Sequence, residues 1–214
     1  MQQGLAIADG ITSRKRGLRM RIEPVPPHAG RTLDSRLQEA LGSLQELCID
    51  SGASACAVIE CGDLVFAERA AEPPDMPAEE RSIFWPVPRF PQDSIEDAMR
   101  QYRQALVFRL DIAGSGSRDG ATSKIYDIAG RLESACFYGG FYLAIGLAAG
   151  NCREVFCGGE KKCQALTVGK PCLYPLRSRP SMEVCGLDLE AIAAKAGWKD
   201  LEADSFVMGM VFIA

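Results

Sequence analysis

Residues 205–214 read SFVMGMVFIA. Apolar residues run nearly throughout, and valine, isoleucine and phenylalanine fit a pleated surface. A run with no polar face predicts a strand buried within a sheet. ALVFRLDI at 105–112 is a second strand rich in branched residues. Further upstream, ACAVIE (55–60) is followed by Cys61-Gly62-Asp63 and then LVFAE (64–68). That order reads as a hairpin, two short strands around a glycine-containing turn. The expected sheet is therefore small and mainly antiparallel, drawn from residues 54–60, 63–67, 105–112 and 205–213.

Helices lie between and around these strands. Leu33, Leu37, Leu41, Leu44 and Leu47 recur at three- and four-residue steps, which predicts an amphipathic helix ending near Ser51-Gly52. Asp93 or Ser94 is placed to cap a helix through Tyr102. A long helix is expected from Ser123, with Ile125, Ile128, Leu132, Ala135 and Cys136 as its buried stripe and the pattern continuing through Leu143 and Leu147. Gly139, Gly140, Ala144 and Gly146 interrupt it, and imply either close backbone packing or a break near Gly139-Gly140. Ser181 is placed to cap a short helix, and residues 187–196 form another that stops at Gly197. Strands and helices alternate too irregularly for a repeated βα unit. The predicted class is α+β, a small mainly antiparallel sheet covered by helices, with an irregular cysteine-rich loop.

Composition limits the functional classes. Of 214 residues, 47% are hydrophobic and 24% charged, which disfavours disorder and fibrous folds. Residues 1–32 have no sustained period and read as a tail; residues 33–214 read as one domain. Residues 70–91 hold six prolines and read as an irregular surface segment, on which Phe84, Trp85 and Phe90 pack against prolines. A formal charge of -4 argues against a nucleic-acid surface. The single histidine, His28, lies in the tail, so His-based zinc and nucleophile sites are disfavoured. The best apolar run, 137–150, falls short of the about 20 residues that span a bilayer. Nine cysteines cannot all pair, and residues 1–20 have no secretory apolar core, so a reducing, cytoplasmic location is expected. GSGSRDG (114–120) has neither GxGxxG spacing nor a P-loop lysine, and reads as a solvated connector.

The informative stretch is NCREVFCGGEKKCQALTVGKPCLYPLRSRPSMEVCG, residues 151–186. Cys152, Cys157, Cys163 and Cys172 are separated by four, five and eight residues, among glycines 158, 159 and 169 and prolines 171, 175 and 180. So long a loop, with too few apolar residues to bury itself, is either functional or unstructured. Four thiolates complete the coordination of one zinc ion or one iron-sulfur cluster. Structural zinc favours CxxC pairs, absent here, whereas a [4Fe-4S] cube accepts irregular spacing. Lys161, Lys162, Lys170, Arg177 and Arg179 would offset the charge of an anionic cluster, and backbone amides near Ser181 would face it. Cys48, Cys56, Cys136 and Cys185 read as packing residues.

AIGLAAGNC (144–152), GKPC (169–172) and above all RPSMEVCGLDL (179–189) resemble the family of predicted metal-binding proteins called domain of unknown function 2284. LVFAER (64–69) and WPVPRFPQDSIEDAMRQYRQALVF (85–108) are similar to its N-terminal half, so the likeness covers residues 53–214. It implies metal binding through cysteines, with Cys152 and Cys172 matching best. Trp85 stands where the family places a cysteine, and none occurs between Cys61 and Cys136, which implies one metal centre and not two. Arg179, Ser181 and Glu183 match the motif; they either tie down the loop or hydrogen-bond cluster sulfurs or a small anion. Three functions follow: a [4Fe-4S] protein exchanging electrons with a redox partner protein, a zinc-stabilised interaction module, or an enzyme using Arg179 as an anion clamp.

Overall fold

The computed structural model describes residues 33–67, 95–158, 163–165, 169–198, 202 and 205–214. The chain divides into Met1–Arg31 and Thr32–Ala214, and every described residue belongs to the second unit. The expected tail with His28, the proline-rich segment with Trp85, and Lys161 and Lys162 lie outside the described residues.

Helix α1 (Leu33–Asp50) opens the described chain. Leu37, Leu41, Leu44 and Cys48 form its buried stripe. Gly52, at φ 101, turns the chain into strand β1 (Ala55–Glu60). A short 3-10 turn, Cys61–Asp63, follows. Helix α2 (Ile95–Arg100) leads to β2 (Gln104–Asp111), then α3 (Arg118–Tyr138), β3 (Ile145–Ala148), α4 (Cys152–Phe156), α5 (Leu189–Lys195) and β4 (Phe206–Phe212). The four strands form one antiparallel sheet in the order β1-β2-β4-β3. The α+β class therefore holds.

Strand β4 is buried along its whole length because both sheet faces are covered. Val207 and Val211 join Leu106, Phe108 and Leu110 under α1 and α3. Phe206, Met208, Met210 and Phe212 join Val107, Met182, Leu187 and Ile192 on the other face. Each fully buried side chain of this kind contributes about 2 kcal/mol.

Three local expectations are corrected. Residues 63–67 do not fold back on β1, whose partner is β2 in the register Ala55↔Arg109 to Glu60↔Gln104. Instead Phe66 bridges Leu187, and Ala67 N–H donates to the Gly186 carbonyl at 2.9 Å. The long helix starts before Ser123, because Ser117 Oγ accepts from Gly120 N–H at 3.1 Å and caps it. It ends at Tyr138, at the break expected near Gly139-Gly140, where Gly140 takes φ 89; the apolar pattern does not carry it on, and Leu147 lies on a strand. Ser181 caps a turn over 182–186 and no helix; Asp188 caps the next helix through Ala191 N–H at 2.9 Å. Gly146 meets the expectation of close packing, since a Cβ there would stand 3.3 Å from the Ala129 carbonyl oxygen of α3. No helix among the described residues is long and apolar enough to cross a membrane.

Candidate metal centre

The cysteine segment leaves the sheet at the end of β3 and returns beside it. Ala148 N–H donates to the Pro180 carbonyl at 3.3 Å, and Met182 N–H to the Ala148 carbonyl at 3.0 Å. These two bonds clamp the base of the excursion. Glu183 reinforces the clamp, taking Gly150 N–H at 3.0 Å and Ser181 Oγ–H at 2.5 Å. Tyr126, fully buried on α3, donates its hydroxyl to the Gly150 carbonyl at 3.0 Å.

Short-range chemistry shapes each cysteine's turn. Asn151 caps α4 by accepting from Arg153 N–H at 2.9 Å. Cys152 is the first residue of that helix and Cys157 lies just past its end, its N–H on the Arg153 carbonyl at 2.9 Å. Gln164 ties the neighbourhoods of Cys163 and Cys172 together. Its side-chain amide donates to the Pro171 carbonyl at 2.7 Å, and its own carbonyl accepts Lys170 N–H at 3.1 Å. Cys172 Sγ accepts Tyr174 N–H at 3.3 Å and stands 3.3 Å from Ser178 Oγ. Amide and hydroxyl donors aimed at sulfur stabilise a thiolate there.

All four loop cysteines are half-buried, whereas Cys48, Cys61, Cys136 and Cys185 are buried. No two of the nine are joined as a disulfide. Burial first, and then the charges of Cys163, Cys172 and Cys157, raise the Cys152 thiol to about 11 against a smaller lowering by Arg153. Cys152 thus shares one electrostatic neighbourhood with the other three. Among the described residues, however, no three His, Cys, Asp or Glu side chains stand close enough together to hold a metal ion. The donors are of the right kind and in one region, at a spacing wider than coordination.

Arg179 and Ser181 are occupied in holding the loop. Arg179 Nη2 pairs with Glu133 of α3 at 2.5 Å, and Nη1 donates to the Leu176 and Ser178 carbonyls at 3.2 and 2.8 Å. Glu133 also accepts Gly146 N–H at 3.4 Å, so one carboxylate joins helix, sheet edge and loop. Arg177 forms a two-pronged bond to Asp127 at 3.0 and 3.2 Å and lies 4.4 Å from the Phe156 ring centre. Beside it is an open groove of about 550 Å³, lined in part by Leu47, Tyr126, Arg131 and Leu176. Sequence reasoning missed Tyr126, Asp127 and Asn151. The available signal for Tyr126 was its place on the buried face of α3, where a hydroxyl requires a partner.

The buried thiols away from the loop have a pH consequence. Burial raises Cys61 and Cys136 from the usual 9.0 to about 12. In the unfolded chain these thiols ionise near their usual value, so above it the unfolded state holds fewer protons than the native one. Stability therefore falls as pH rises from about 9 towards 12, by about 1 kcal/mol per pH unit for each thiol. Urea denaturation at pH 8 and pH 10 should show this loss, reduced in Cys136→Ala relative to its own pH 8 value. Equal stability at both pH values would contradict it.

No curated protein and no solved structure matches the chain. The profile of one family, described as predicted metal-binding protein (DUF2284), matches residues 87–212. That span holds all four loop cysteines and the clamp formed by Tyr126, Glu133, Arg179 and Glu183. The chain belongs to this family of predicted metal-binding proteins.

Proposed function

We propose that Cys152, Cys157, Cys163 and Cys172 hold one [4Fe-4S] cluster, and that the protein serves electron transfer or an accessory redox role with a partner redox protein in the cytoplasm. The observation that carries this reading is the shared neighbourhood of four thiols, in which Cys152 resists ionisation through its burial first and then through repulsion from the other three. A bound cationic centre relieves that repulsion, and this coupling favours loading once the thiols lose their protons. The residues fit the group in donor type and number, and Tyr174 N–H and Ser178 Oγ meet the sulfur of Cys172. When bound, such a cluster supplies one-electron transfer at a potential set partly by hydrogen bonds to its sulfurs. The chain's own part is to fix the ligand turns: Glu183 and Tyr126 hold the Gly150 end, and Arg179 with Glu133 holds the return.

Anaerobic purification should give a brown protein whose visible absorption bleaches with dithionite, with iron and acid-labile sulfide at about four each per chain. A colourless protein with one zinc per chain would replace this reading with the zinc-stabilised interaction module.

A further inference from the structure

Two cysteines outside the family-matched segment stand together. Cys48 lies in the last turn of α1 and Cys56 on β1, both in the core between α1 and the sheet, and each thiol bears on the other's ionisation. Cys56 Sγ also faces the Gln45 carbonyl, 3.9 Å away, in the same helical turn as Cys48. The backbone fixes this approach. Ala53 N–H returns to the Cys48 carbonyl at 3.2 Å, and Ser54 N–H joins the Arg109 carbonyl at 2.8 Å, so helix end and strand start share one anchored corner. Cys61, by contrast, packs in the core on the opposite face of the sheet. Cys48 is fully buried and Cys56 half-buried, so one thiol of the pair is the more approachable.

We propose that Cys48 and Cys56 are a dithiol site that closes to an internal disulfide by exchange with a low-molecular-weight disulfide of the glutathione class. Cys56, as thiolate, attacks one sulfur of the small disulfide, forming a mixed disulfide and releasing one small thiolate. Cys48 then loses its proton and its sulfur attacks that of Cys56, which breaks the mixed bond and releases the second small thiolate. The two protons end on the two released thiols, so two protein thiols are oxidised and one small disulfide is reduced.

Burial shapes both rate and outcome. It raises both thiols, most strongly Cys48, so few thiolates are present and closure is slow. The same burial denies the reduced pair the thiolate stabilisation that makes strongly oxidising disulfides easy to reduce. The closed form is then a slow-forming, persistent bond.

The full chain should be incubated with oxidised glutathione at pH 8, denatured in an alkylating agent, and cut after glutamate. Residues 47–60 then carry Cys48 and Cys56, with Cys61 in the next fragment. The expected peptide is two hydrogens lighter than the reduced form and carries no alkyl group; prior dithiothreitol restores two alkylation sites. In Cys48→Ser the reaction should stop at a glutathione adduct on Cys56. A wild-type peptide with two alkyl groups, a lasting glutathione adduct, or Cys56 joined to any other cysteine overturns the proposal. Metal content is a separate readout, so this result and the cluster reading stand or fall independently.

Discussion

Replacing Cys172 by Ser should remove the metal almost completely while leaving the sheet and its two cores folded. The sulfur of Cys172 is prepared for a metal, with Tyr174 N and Ser178 Oγ both at 3.3 Å. Serine keeps the size of the side chain but offers a hard, protonated oxygen where a soft thiolate is needed. The fold itself does not depend on that sulfur, because the return of the loop is held by Arg179, Glu133, Glu183 and the Ala148 pairing. Metal per chain, with circular dichroism as the folding check, decides the matter. Cys185→Ala is the control. Its thiol packs beside Met182 and Leu187, so it should cost stability and keep the metal. Ser178→Ala should fall between, weakening metal affinity by roughly 10–100-fold through the lost hydrogen bond. Full metal content in Cys172→Ser would refute the ligand set.

What could be read in advance follows a physical division. Strands β2 and β4 were legible because burial on both faces leaves an unbroken apolar run in each, ALVF at 105–108 and all of FVMGMVF at 206–212. The first helix was legible because Leu37, Leu41 and Leu44 meet one core. The segment 64–67 was read with the right local character and the wrong partner. Strand pairing is a non-local choice, and β1 prefers the eight-residue β2 over a short arm drawn to Leu187. Strand β3 was hidden because its apolar residues continue the helical stripe in phase; the Gly139-Gly140 pair marks the break, with Gly140 at positive φ, but not the strand that follows. At the site, four clustered thiols show in composition alone. The pairing of Arg179 with Glu133, and of Glu183 with Gly150, depends on distant segments meeting and leaves no local pattern.

Gly209→Ala should destabilise the domain by about 2 kcal/mol, a large effect for one methyl group. Gly209 lies in the middle of β4, directly opposite Phe108 in the β2 register. A Cβ there would stand 2.5 Å from Phe108 Cε2, 2.6 Å from its Cζ and 3.1 Å from Ile125 Cγ2. Neither neighbour has room to yield, since Phe108 and Ile125 are both fully buried between the sheet and α3. Alanine would gain somewhat from the lower backbone entropy of the unfolded chain, about 0.5–1 kcal/mol, which the clash must exceed. The glycine therefore serves the aromatic ring laid across it, as a strand glycine often does. Urea denaturation should show the loss, with a fall of roughly 4–8 °C in melting temperature for a domain of this size. Phe108→Leu shortens the ring that causes the clash. In a double-mutant cycle the pair should therefore be less destabilised than the two single changes added together. Strict additivity, or an unaltered Gly209→Ala midpoint, would mean that Phe108 does not occupy the space above Gly209.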